Sequence, residues 1–133
     1  YKLNNPEEAF FFPFTVNSAN AVRFEIRKVS GGSNRLNIDD ITITDYGTPP
    51  PVTTTEDIES GGKTSYSAAN VSLNTGSWYF DNALTGSLSN DRKNGSYSAR
   101  IRNSGKIRMN FNVSNADSVS IKHAKYGSNG TSN

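Results

Sequence analysis

Six carboxylates stand where they could act together: Glu56, Asp57 and Glu59 in one run, Asp39 and Asp40 in another, and Asp81 directly after Trp78-Tyr79-Phe80. Carboxylate oxygens are hard ligands of the kind Ca2+ takes. On an alternating strand the same residues would instead face water beside Arg or Lys. The stretch Asp91-Arg92-Lys93-Asn94-Gly95 is not an EF-hand loop, because Lys93 stands where an oxygen ligand is needed. His123 is the only histidine and there is no cysteine, so a zinc site would lack nitrogen and sulfur partners. Serine is abundant, but no Gly-x-Ser-x-Gly turn exposes one as a nucleophile. A carboxylate pair is all that a glycosidase needs. No other catalytic pattern accompanies these acids, and the chain reads as a binding protein rather than an enzyme.

Cations and rings offer a second chemistry. Arg100, Arg102, Lys106, Arg108 and Lys122 all fall on the polar side of alternating segments. A face of this kind suits phosphates or an acidic polysaccharide, because the guanidinium fork matches both. It equally suits a solvated sheet face that resists edge-to-edge aggregation. Tyr79, Tyr97 and Tyr126 are the candidates for stacking on a sugar. Trp78 and Phe80 alternate with Tyr79 and are expected in the core. His123 follows Val119 and Ile121 on the inward side and is expected to be partly buried.

The elements that must position these residues read as strands. Residues 22–27 alternate apolar with charged, 107–113 apolar with polar, and 119–123 continue the rhythm. Residues 10–16 are richer in Phe and contain Pro13, which predicts an edge strand or a bulge. Asn103-Ser104-Gly105 has turn chemistry and predicts a hairpin between strands 97–102 and 106–113, placing at least four of the cations on one exposed face. No segment holds helical periodicity for three turns. The fold expected is all-β: an antiparallel β-sandwich or jelly roll.

Composition agrees. The 133 residues are only 33% hydrophobic, with 20% charged and 11% aromatic, so rings supply much of the core. The net charge of +2 permits an anionic partner without requiring one. No run approaches the length of a membrane span.

Two signatures give the chain its order. Val22-Arg23-Phe24-Glu25-Ile26-Arg27 and Asn37-Ile38-Asp39-Asp40-Ile41-Thr42-Ile43 read as the end of a module. Gly76-Ser77-Trp78-Tyr79-Phe80-Asp81 and Lys93-Asn94-Gly95-Ser96-Tyr97-Ser98-Ala99-Arg100-Ile101-Arg102 read as a beginning. Together they resemble the galactose-binding-like, carbohydrate-binding-module-like jelly-roll repeats of secreted multidomain bacterial proteins, which lie beside nucleases, glycoside hydrolases or adhesins. Read against that resemblance, residues 1–47 are the C-terminal strands of one module, 48–55 a Pro/Thr linker, and 56–133 the N-terminal strands of the next. Either 1–47 dock on 56–133 as one permuted sandwich, or the chain is part of a repeat array.

The resemblance also implies a structural Ca2+ held by Glu59 and Asp40, with Asp39 as second choice, stapling first strand to last. It implies a non-catalytic, secreted or surface-displayed module that binds a glycan or cell-surface polysaccharide, or that spaces a linked domain among neighbouring modules of the same polypeptide. The ligand-binding residues expected are Tyr79, Tyr97, Tyr126, Arg100, Arg102, Arg108 and Lys122. Two alternatives stand beside this: a module that binds a polyanion, nucleic acid or acidic polysaccharide, for a linked nuclease or lyase, and a purely structural repeat.

Overall fold

A computed structural model of the chain describes residues 10–13, 21–45 and 52–130. Among these there are eight strands and no helix. In chain order they are β1 (Phe10–Pro13), β2 (Glu25–Arg27), β3 (Arg35–Asp45), β4 (Thr53–Glu56), β5 (Ala69–Leu73), β6 (Gly76–Gly86), β7 (Ser98–Met109) and β8 (Ala116–Lys125). The fold is all-β and antiparallel, a curled sheet that fits a β-sandwich or jelly roll. The sheet runs β1-β8-β3-β7-β6-β5, with β2 added to β7 and β4 to β3.

The alternation of 22–27 emerges as expected. Val22, Phe24 and Ile26 pack on the core while Arg23, Glu25 and Arg27 stay exposed. Among the described residues Phe10–Pro13 pairs with β8 alone, at the border of the sheet, which accommodates a proline that cannot donate to a second neighbour. The expected linker ends early: Thr53–Glu56 form β4, paired with 41–44 of β3. Asp45 N–H donates to the Val52 carbonyl at 3.0 Å, and Val52 N–H to Asp45 Oδ1 at 2.7 Å. Residues 46–51 lie outside the described residues.

Strand β3 joins the two parts of the chain. Its first half lies between β7 and β8, its second half between β4 and β8. Leu36, Ile38, Ile41 and Ile43 enter a core shared with Ile58, Trp78, Phe80, Ile101, Ile107 and Met109. Trp78 and Phe80 are fully buried, as their alternation with Tyr79 predicts. The edge of Trp78 meets Phe111 at 6.0 Å between centroids, and its indole N–H donates to Thr75 Oγ1 at 3.0 Å. A buried Trp usually finds such a polar partner.

The hairpin expected at Asn103-Ser104-Gly105 is not formed. Residues 98–109 are a single strand, and both halves pair with β6: Ala83 opposite Ile101, Asp81 opposite Lys106. The intervening residues are looped out as a bulge. Asn82 (φ 47°) and Asn103 (φ 51°) take the left-handed conformation that asparagine tolerates best. The turn-forming residues act here within a strand, because β2 and β3 occupy the side on which a folded-back hairpin strand would pair. Gly105 is the residue that lets the bulge close. A Cβ there would come within 2.6 Å of the Asp81 carbonyl oxygen and 2.7 Å of that of Asn82. Gly105→Ala is therefore expected to cost about 2–4 kcal/mol in urea unfolding, since backbone carbonyls cannot step aside as a side chain can. A loss under about 0.5 kcal/mol would show that the bulge relaxes freely.

Candidate functional site

The acids of β4 and the turn that follows it do local structural work. Glu56, buried, accepts the Ile58 N–H at 2.9 Å on one oxygen, and on the other the Thr75 N–H at 2.9 Å and hydroxyl at 2.6 Å. Asp57 accepts the Glu59 N–H and the Asn74 amide. Ile58, fully buried, is held at φ 62° between them, an unusual conformation for a β-branched residue.

Glu59, Asp39 and Asp40 converge on the loop 94–97. Glu59 receives the Ser96 N–H on both oxygens at 3.0 Å and the Tyr97 N–H at 2.9 Å. Asp39 receives the Asn94 N–H at 2.6 Å and the Asp40 N–H at 2.9 Å. Asp40 receives the Asn94 side-chain amide at 2.8 Å and the Lys122 ammonium at 2.6 Å. A bulge in β3 at Asp40 (φ 45°) turns the neighbouring carboxylates toward the same loop. Gly95 (φ 114°) passes so close to Glu59 that any Cβ would strike its carboxylate.

Calcium wants six to eight oxygens directed at one point. Here N–H donors and an ammonium face the carboxylates, the reverse of a cation cage, and no group of three or more metal-ligating His, Asp or Glu side chains occurs among the described residues. The arrangement fits a loop clamp rather than a metal. The midpoint of thermal unfolding is accordingly expected to be the same in excess Ca2+ and in EDTA; a fall in EDTA restored by Ca2+ and not by Mg2+ would reinstate the staple.

Burial pushes the Asp39 carboxyl up from the ordinary 3.8 to about 7, with the nearby charges of Asp40 and Glu59 adding to the rise and the two N–H bonds opposing it. The folded chain therefore holds a proton on Asp39 through a window in which the unfolded chain has released it. Stability from this group is expected to increase as pH falls from about 7 toward 4, by roughly 1–4 kcal/mol. Asp39→Asn should flatten that slope in urea unfolding measured across the window. An unchanged slope would assign it to another group.

The loop 87–97 also supplies a buried polar network. Asn37 donates its amide to Asp91 Oδ1 at 3.0 Å and to Ser98 Oγ at 2.8 Å. Asp91, fully buried, accepts the Leu88 N–H at 2.9 Å and pairs with Arg100 at 3.4 Å.

The cations fall on the side of β7 away from the core, in two groups separated by the bulge. In the first, Arg100 and Arg102 meet rings. The Arg102 guanidinium lies 3.8 Å from the Tyr66 centroid, and that of Arg100 5.0 Å from Tyr126 and 5.8 Å from Tyr66. Arg35 covers Tyr126 at 4.8 Å. In the second group Arg108 lies 5.3 Å from Tyr79, and Lys106 pairs with Glu25 at 3.3 Å. Arg27 beside Glu25, with Lys106, holds that carboxyl below its usual range.

The expectation of one exposed basic face is corrected in part. Arg100 is only 9% exposed, and the buried Nε atoms of Arg100, Arg102 and Arg108 have no hydrogen-bond partner, so ring faces stand beside these planes where water would otherwise be. Tyr97 and Lys122 belong to the acid clamp instead. His123 is half-buried and engaged with a neighbour. Sequence reasoning missed Tyr66 and Arg35, since neither lies in a motif; only the cross-strand register of Arg35 with Arg102 and the crossing of the 57–68 segment bring them in.

No family model, curated protein or solved structure matches this chain. The structure defines an all-β antiparallel domain, and among its described residues no helix is long and apolar enough to cross a membrane.

Proposed function

We propose that this chain is a non-catalytic binding module of a longer secreted bacterial polypeptide, and that it holds a glycan on the strip formed by Tyr66, Arg102, Arg100, Tyr126 and Arg35. The observation that carries this reading is the alternation of guanidinium planes from β3 and β7 with the rings of Tyr66 and Tyr126 from flanking segments, with the buried Nε atoms of Arg100 and Arg102 unpartnered. Rings offer apolar faces to sugar C–H groups, and guanidinium forks offer paired donors to hydroxyl or carboxylate oxygens. Packing of each arginine against a ring fixes its plane before a ligand arrives, which lowers the entropy lost on binding.

The basic character of the strip favours a second reading, a polyanion contact. Its charge is Arg35, Arg100 and Arg102 against Asp91, and the whole chain carries only +2, a modest footprint for nucleic acid. The two readings differ in salt dependence.

Affinity electrophoresis against neutral and acidic soluble polysaccharides tests both. At least one polysaccharide is expected to retard the protein, and Tyr66→Ala to weaken that binding about three- to tenfold, the value of one ring–cation or ring–sugar contact. Retardation by none of the polysaccharides would overturn the glycan reading. Binding that collapses between low and moderate salt, on nucleic acid as well as on acidic polysaccharide, would favour the polyanion instead.

A further inference from the structure

Lys28 is an anomaly. It is 1% exposed, and fully buried lysines are rare unless a carboxylate pairs with them. Among the described residues it has no such partner. Its ammonium donates to the carbonyl oxygens of Gly32 at 2.8 Å and Asn103 at 3.0 Å, which among the described residues engages two of its three N–H groups. Burial lowers the pKa of this group, so its positive charge is held at a cost.

Lys28 is one of the residues lining a cleft of about 360 Å³ between the turn 28–33 and the β7 bulge, with Val29, Ser30, Gly32, Ser33, Asn103 and Ser104. Left-handed residues on both walls, Gly31 (φ 84°), Gly32 (φ 51°) and Asn103 (φ 51°), shape the turns that bring those two carbonyls to the ammonium. Apart from Lys28 the lining is uncharged and rich in hydroxyl and amide groups. Val29, 74% exposed, adds an apolar surface at the rim.

We infer that this cleft binds a small carboxylate-bearing sugar, with the Lys28 ammonium taking the carboxylate and the serine and asparagine side chains taking hydroxyls. A single ammonium matches a single negative charge; a phosphate dianion would leave one charge unpaired in a neutral pocket. The volume suits one sugar residue and little more. Val29 offers the C–H face of that ring a partner, which a purely structural lysine staple would not require. The cleft begins one residue beyond Arg102 along β7, so a chain held on the strip could present its acidic residue here. The inference does not depend on the strip reading.

The test is a titration of the intact chain with D-glucuronate and, separately, with D-glucose, followed through the amide resonances of Gly32, Ser33, Asn103 and Ser104. Saturable shifts with glucuronate and none with glucose are expected. Lys28→Met should weaken binding about tenfold or more, the value of one charge-assisted hydrogen bond. Because Lys28 also ties two loops together, Ser33→Trp provides a second variant: it fills the cleft from an exposed position and should abolish the shifts while the unfolding midpoint stays in place. Tyr66→Ala should leave the glucuronate response intact. Absence of shifts at tens of millimolar glucuronate, equal shifts with glucose, or wild-type binding by Ser33→Trp would each overturn the inference.

Discussion

Strand β3 buries four consecutive residues, Leu36, Asn37, Ile38 and Asp39, and this burial constrains most of what surrounds it. Leu36 and Ile38 are covered by the apolar core. Asn37 and Asp39 point the other way and are just as deeply covered, so their amide and carboxylate need partners that water cannot supply. The loop 87–97 supplies them. It sends Asp91 to Asn37 and the backbone N–H of Asn94 to Asp39, Ser98 at the start of β7 completes the shell of Asn37, and Glu59 fastens the same loop from the turn after β4. Remove the polar residues of β3 and the loop keeps only the Glu59 carboxylate among these partners.

Arg100 extends this dependence toward the surface. Its guanidinium pairs with Asp91 below and faces Tyr126 and Tyr66 beside it. Buried network and ring strip therefore share one side chain. The rigidity of the proposed contact surface derives from the same hydrogen bonds that satisfy β3, and a guanidinium held from beneath has fewer orientations to lose when a ligand binds.

Strand character was legible where apolar and polar residues alternate, as in 22–27 and 119–123, because a period of two survives in the sequence whatever the partner strand. The edge position of Phe10–Pro13 followed from the missing N–H of Pro13. Pairing was not legible. The turn residues Asn103-Ser104-Gly105 are compatible with a hairpin or a bulge, and only the competition of β2 and β3 for the free side of β7 selects the bulge. Of the six acids, Glu59, Asp39 and Asp40 face a single loop, while Glu56 and Asp57 hold other backbone and side-chain groups. Their partners are backbone N–H groups, which every sequence carries and none advertises. Tyr66 and Lys28 were invisible for a different reason: one lies between strands, the other closes a strand, and their roles depend on which loop lies opposite.

The pairing of β3 with β4 has a consequence for chain integrity. These antiparallel neighbours flank the proline-rich stretch, and β3 is also bonded to β7 and β8, which follow that stretch in sequence. Covalent continuity between residues 45 and 52 is therefore not what bonds β3 to the strands that follow that stretch. A protease that cut there would leave two peptides still interlocked through one sheet, each completing the other's hydrogen-bond ladder. The domain behaves in this respect as a complementing pair of fragments that happen to be synthesised as one.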